Sequence, residues 1–148
     1  MKLDKVDEKI IQMLQANARI PVKEIAKEVF LSSPAVSARI ERLSQEGLIQ
    51  GYHMTIDRHK LGYDVTAFIS LEMSPSQKVK FYPFVKACPN VLECNCVTGQ
   101  YSQLIKVAFR NTEDLDTFIG SLQQFGRTNT EIVFSTPVEA RDVNIANG

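Results

Sequence analysis

Phe30-Leu31-Ser32-Ser33-Pro34, running on into Ala35-Val36-Ser37-Ala38-Arg39-Ile40-Glu41-Arg42-Leu43, carries the strongest positional signal in this chain. A serine followed at once by a proline marks a helix start, because the hydroxyl caps the first free N–H groups and proline is tolerated in the first turn. Val36, Ile40 and Leu43 then recur at i, i+4 and i+7 and form one apolar face. Burying that face leaves Ser33, Ala35, Ser37, Ala38, Arg39 and Arg42 outside. Small side chains near the N-terminal end let a backbone approach the DNA major groove, and arginines carry donors for guanine edges or phosphates. The helix N-terminus itself suits a phosphate. A solvated face on an ordinary three-helix bundle has the same spacing, so the surroundings must decide.

Upstream, Asp4 to Ala18 places Val6, Ile10, Met13 and Leu14 on one helical face, with Asp4 and Asp7 near the N-terminus, where the helix dipole favours acid. After Pro21 a shorter pattern follows in Val22, Ile25, Ala26 and Val29. Two short helices with only a brief break between them, the second with a small and basic outer face, make a helix-turn-helix. Downstream, Gly47 to Asp57 reads as a turn and an extended segment, either the wing of a winged helix or a connecting strand. Arg58-His59-Lys60-Leu61-Gly62 makes a mostly polar hinge. The expected division is a DNA-binding domain over residues 1–60 and a second domain over 61–148.

The second half changes period. Tyr63 to Met73 alternates Val65, Ala67, Ile69 and Leu71 with Thr66, Phe68, Ser70 and Glu72, as a strand does. A helical pattern follows in Phe81, Phe84, Val85 and Cys88, with Pro83 inside it as a kink or restart. Strands are expected at Val91–Val97 and Tyr101–Phe109, joined by Thr98-Gly99-Gln100. Asn111-Thr112 caps a helix with an acidic first turn and a core face of Leu115, Phe118, Ile119 and Leu122, stopped by Gly126; Thr130–Thr136 supplies the last strand. The tail from Pro137 is polar and expected to pair weakly or stay loose. The order is βαββαβ, and the fold class α+β.

Composition bounds the function. With 148 residues, 44% hydrophobic and 23% charged, the chain has ample material for packed cores. No apolar run approaches the length of a membrane span, and the start is acidic and amphipathic where a signal peptide would be basic and then apolar, so a cytoplasmic protein with no membrane partner is expected. Net charge is zero but uneven: ten Lys/Arg face eight Asp/Glu over residues 1–61, and seven face nine thereafter, +2 against −2. One such head predicts weak non-specific DNA affinity. Cys88, Cys94 and Cys96 are odd in number and read as free thiols; Cys94 and Cys96 lack the C-x2-C spacing and second pair of a structural zinc site, so neither metal nor cofactor is expected. His53 and His59 fall in the wing and hinge. With no phosphate loop, nucleophile motif or His/carboxylate cluster, the chain is not expected to be an enzyme.

The same residues resemble the Lrp/AsnC family of transcription regulators over nearly the whole chain. The marks are Leu3-Asp4-Lys5-Val6-Asp7, Asn17-Ala18-Arg19, Leu31-Ser32, Val36-Ser37-Ala38-Arg39-Ile40, Leu43 to Gly51, Leu61-Gly62 and Val97-Thr98-Gly99-Gln100-Tyr101. The resemblance implies a winged or plain helix-turn-helix, then a ferredoxin-like domain that assembles dimers, often octamer-like, and binds a small effector. A homo-oligomer would place two weak heads on the two half-sites of double-stranded DNA, so effective concentration compensates for the low charge of each. In this family the loop after the second strand commonly reads Gly-x-Tyr-Asp, whose acid helps hold an effector's amino group. Here it reads Gly99-Gln100-Tyr101-Ser102, a hydroxyl in place of the counter-charge. Three readings stay open: a different effector, an amino acid held by groups such as Thr98, Thr128 or Thr130 beside Gly99, Gln100 and Ser102, or no effector. A nucleoid-organising protein with little sequence preference would use the same DNA head.

Overall fold

The computed structural model describes residues 2–145. The chain forms two compact units: one runs to Thr55 and includes the tail from Glu139, the other is Ile56–Val138. The tail expected to belong with the second domain thus packs with the first, where the Gln15 side chain donates to the Val143 carbonyl (3.0 Å).

In the first unit, α1 (Lys5–Ala16) starts in a capping box: the Asp4 carboxylate accepts from the Asp7 N–H (2.8 Å) and the Asp7 carboxylate from the Asp4 N–H (3.3 Å). α2 (Val22–Glu28) begins after Pro21, whose extended backbone hands the chain into the helix. Between α2 and α3 (Ser33–Gln45), Phe30 takes φ +55° with its ring 94% exposed, while the Leu31 N–H reaches back to the Ala26 carbonyl. A left-handed conformation is costly for a residue with a bulky Cβ substituent. α3 is capped by Ser32 and carries Pro34 in its first turn, as the spacing predicts. It closes at Gly47 (φ +79°), where the Leu48 and Ile49 N–H groups both turn back to the Leu43 carbonyl. Ile10, Ile25, Ala26 and Val36 make the shared core. The segment expected to form a wing or connecting strand, residues 48–57, is assigned neither helix nor strand.

The second unit opens with a short 3-10 turn at His59–Leu61, ended by Gly62 at φ +80°. It continues as β1 (Val65–Met73), α4 (Lys78–Ala87), β2 (Val91–Cys96), β3 (Gln103–Phe109), α5 (Thr112–Leu122) and β4 (Gly126–Ile132). The antiparallel sheet has order β2-β3-β1-β4, so β1 and β3, the strands that begin the two βαβ crossovers, lie at its centre and the fold is ferredoxin-like. α4 runs through Pro83 without ending. Ala67, Ile69 and Leu71 of β1 and Ile105 and Val107 of β3 are fully buried with Phe81, Leu115 and Leu122 of the helices. The alternate residues of β1, Thr66, Phe68, Ser70 and Glu72, face the other side of the sheet and are half-buried.

Two expectations are corrected here. The last strand is Gly126–Ile132, not Thr130–Thr136, and Gly126 starts it, since α5 already ends at Leu122. Gly126 lies so close to β1 that a Cβ would collide with the Glu72 carbonyl, which makes glycine a condition of this pairing. Alternation alone favoured the apolar Ile132-Val133-Phe134 region, yet Phe134 is fully exposed.

Candidate nucleic-acid interface and effector loop

Along α3, Val36 and Leu43 are fully buried, Ser33 and Ala35 are half-buried, and Ser37 and Ala38 are exposed beside Glu41. The helix therefore offers a small, flat and nearly uncharged outer surface. The two arginines assigned to that surface from sequence are engaged elsewhere. Arg39 Nη1 donates to Asp4 Oδ2 (2.7 Å) and Asp7 Oδ1 (2.8 Å), and Arg42 Nη2 donates to Asp7 Oδ2 (2.7 Å). Their side chains keep 30% and 40% of their exposure, but the Asp7 side chain keeps only 2%. Both are expected from sequence to reach base edges or phosphates; in this structure they clamp α3 to α1. The reason lies in helix packing, which turns positions 39 and 42 toward the N-terminal end of α1, a tertiary relation that sequence spacing does not contain.

The electrostatics follow. Burial raises the Asp7 pKa, but hydrogen bonds from Arg42, Arg39 and the Asp4 N–H outweigh it and hold the carboxyl below its usual range. The Asp4 carboxyl is also lowered, by the Asp7 N–H and then by Arg39. Arg39 is held above its ordinary value by Asp4 and then Asp7, and Arg42 by Asp7. Sequence reading passed over Arg19 and Lys23, which are exposed at the approach to and start of α2 and form no ion pair among the described residues. Their position beside the first helix of the motif was the available signal.

In the second unit Thr98, Gly99 and Gln100 are exposed in the β2–β3 loop, with Gly99 at φ +107°. The Ser102 N–H donates to the Leu71 carbonyl (3.0 Å) and its hydroxyl to the Met73 carbonyl (3.3 Å). Thr128 pairs with Leu71 and Thr130 with Ile69, so both project to the helix-covered face. The six residues expected to hold an effector are thus spread from the β2–β3 loop to the middle of β4 and do not converge on one face. Between Leu71 and Met73 stands Glu72, whose Oε2 is shut off from solvent and has no hydrogen-bond partner among the described residues. The sequence marks it only as an alternating polar residue.

Cys88, Cys94 and Cys96 are free. Cys94 is half-buried over Gln103, and its thiol is pushed up by burial and then by Cys96. Among the described residues no cluster of three His, Cys, Asp or Glu has the arrangement of a metal site, and no helix is long and apolar enough to cross a membrane.

Comparison with known proteins places both units. Residues 3–50 match a family model described as winged helix-turn-helix DNA-binding, and residues 66–143 one described as the Lrp/AsnC ligand binding domain. The chain is 32% identical to the HTH-type transcriptional regulator FL11 of Pyrococcus horikoshii over 97% of both proteins. Its structure superposes on that of Escherichia coli AsnC with a TM-score of 0.88 at 29% identity, covering 97% of this chain and 99% of the other. It is equally similar to a feast or famine regulatory protein from Mycobacterium tuberculosis solved in complex with L-methionine, with a TM-score of 0.89 at 26% identity over 96% and 99% of the two chains.

Proposed function

This chain belongs to the Lrp/AsnC family of HTH-type transcription regulators, and from that premise we propose that it binds double-stranded DNA as a homo-oligomer, reads it with α3, and is tuned through its second unit by a small amino compound. It is a DNA-binding regulator and not an enzyme. The observation that carries the DNA reading is the exposed run of small residues on α3 behind a Ser32-capped N-terminus. Ser33, Ala35, Ser37 and Ala38 let the helix backbone sit close to base edges, while Arg19 and Lys23 supply phosphate contacts from the motif's first helix. Arg39 and Arg42 set the angle of α3. The division of labour falls near the His59–Leu61 turn, the part before it binding DNA and the part from there to Val138 assembling and sensing, with the tail from Glu139 packed on the DNA-binding unit. An amino-acid effector is supported by the ligand-binding family model and by the structural neighbour crystallised with L-methionine. The cytoplasm is the expected compartment.

A second reading, an architectural DNA binder with little sequence preference, is favoured by the same clamp, because Arg39 and Arg42 are held by carboxylates and leave few side chains to read bases. A gel-shift titration on the gene's own promoter region against a shuffled fragment, at one fixed salt concentration, separates the two. Preferential, laddered binding supports the regulator that reads sequence; equal binding to both supports the architectural role; no binding to either removes the DNA assignment.

A further inference from the structure

We propose that Phe30 is a base-contacting residue whose ring packs on the C5-methyl groups of thymines at the edge of the stretch that α3 covers; this rests on the reading of the first unit as a DNA-binding head. Phe30 stands two residues before the Ser32 cap of α3, at φ +55° and 94% exposed. The turn that holds it is well anchored. The N–H groups of Val29, Phe30 and Leu31 bond to the carbonyls of Ile25 (3.0 Å), Lys27 (3.4 Å) and Ala26 (3.0 Å), so the backbone is tied on both sides of the ring. A left-handed backbone suits glycine or asparagine, and a bulky side chain there is an outlier. In the free chain this phenylalanine costs strain and buries almost no apolar surface in return. A partner that covers the ring accounts for it.

Position and chemistry select that partner. From Ser33 to Ala38 the helix carries no charged side chain, so α3 brings no carboxylate to the surface that follows the ring. That run of small residues is the surface assigned above to base edges, and Phe30 lies just ahead of the helix start that leads into it. Arg39 and Arg42 are held by Asp4 and Asp7, which leaves the surface short of groups that discriminate bases. An aromatic ring discriminates in another way: among the four bases of DNA only thymine offers a methyl group in the major groove, and apolar side chains pack on it. A second copy of this chain is a poorer match. One phenylalanine ring buries about 150–250 Å², and the neighbouring Leu31 is only 36% exposed. Together they fall well short of the roughly 800 Å² per partner of a stable protein interface.

The test uses the full-length protein as wild type, Phe30→Gly and Phe30→Asn, both replacements being at ease in a left-handed backbone. Each is titrated at one salt concentration on the gene's own promoter region and on the same fragment made with deoxyuridine for thymidine, which removes the C5-methyl groups. Wild type is expected to bind the uracil fragment about 3- to 10-fold more weakly, as for the loss of one or two buried methyl contacts. Both variants should bind the thymine fragment more weakly by a similar factor and show a smaller uracil penalty, with urea midpoints no lower than that of wild type. Variants that bind the thymine fragment as wild type does would overturn the assignment and leave the DNA reading standing. An equal uracil penalty in wild type and variants would also overturn it, by placing the methyl contact on another residue. So would a lowered midpoint or a changed oligomer mass in both variants, which would give the ring a partner within the fold or on a second copy. No binding of wild type to either fragment would sink the DNA reading as well.

Discussion

Two carboxylates, one in each unit, are oppositely served: Asp7 is buried, and Glu72 is half-buried with one oxygen shut off from solvent. Asp7 on α1 receives two guanidinium groups and the Asp4 N–H, every bond from its own chain. Glu72 on β1 has an oxygen shut away with no donor among the described residues. A buried charge that the chain itself neutralises holds structure together; one it leaves open marks a place for something else.

The largest expected effect breaks the contrast at its structural end. Asp7→Asn leaves two arginines facing a neutral amide and should destabilise the first unit by about 2–3 kcal/mol, held to that range because both arginines keep partial solvent exposure. In urea titrations of both variants, Glu72→Gln should cost nothing measurable, since it removes a charge whose shut-off oxygen has no partner among the described residues. Equal losses from the two would erase the distinction.

Acid sharpens the comparison. The carboxyls of Asp4 and Asp7 are held below their ordinary value of 3.8. Their ion pairs therefore stabilise the fold above that value and lose their effect as pH falls through the lowered pKa values of the folded state. Circular dichroism and amide NMR between about pH 5 and pH 2 should show the first unit loosening before the sheet domain. Simultaneous loss would mean that the clamp is not the acid-sensitive element.

The smallest effect sits in the turn. Phe30 holds a left-handed backbone conformation with its ring exposed, so Phe30→Gly should relieve strain and stabilise the first unit by roughly 0.5–1 kcal/mol, part of the gain being offset by the greater freedom of glycine when unfolded. A lowered urea midpoint would show that the ring makes a contact worth more than the strain it costs.

Most of the architecture was legible in the chain. The capped start at Ser32, the periods of Val36, Ile40 and Leu43, and the alternation from Val65 to Leu71 are local signals, and the structure forms them where expected. The last strand was misplaced because its inward residues Thr128 and Thr130 are polar and its start depends on Gly126 fitting against β1, a constraint visible only when two strands are paired. The site was legible by residue type and less so by role. Sequence determined that there would be a helix with a small-residue face, a loop at Gly99 and an absent acid at 102, because capping, periodicity and turn chemistry act between near neighbours. Only the tertiary structure decided which way Arg39 and Arg42 point and which carbonyls Ser102 bonds to. Those outcomes depend on contacts between residues more than thirty positions apart in the first case and on strand register in the second.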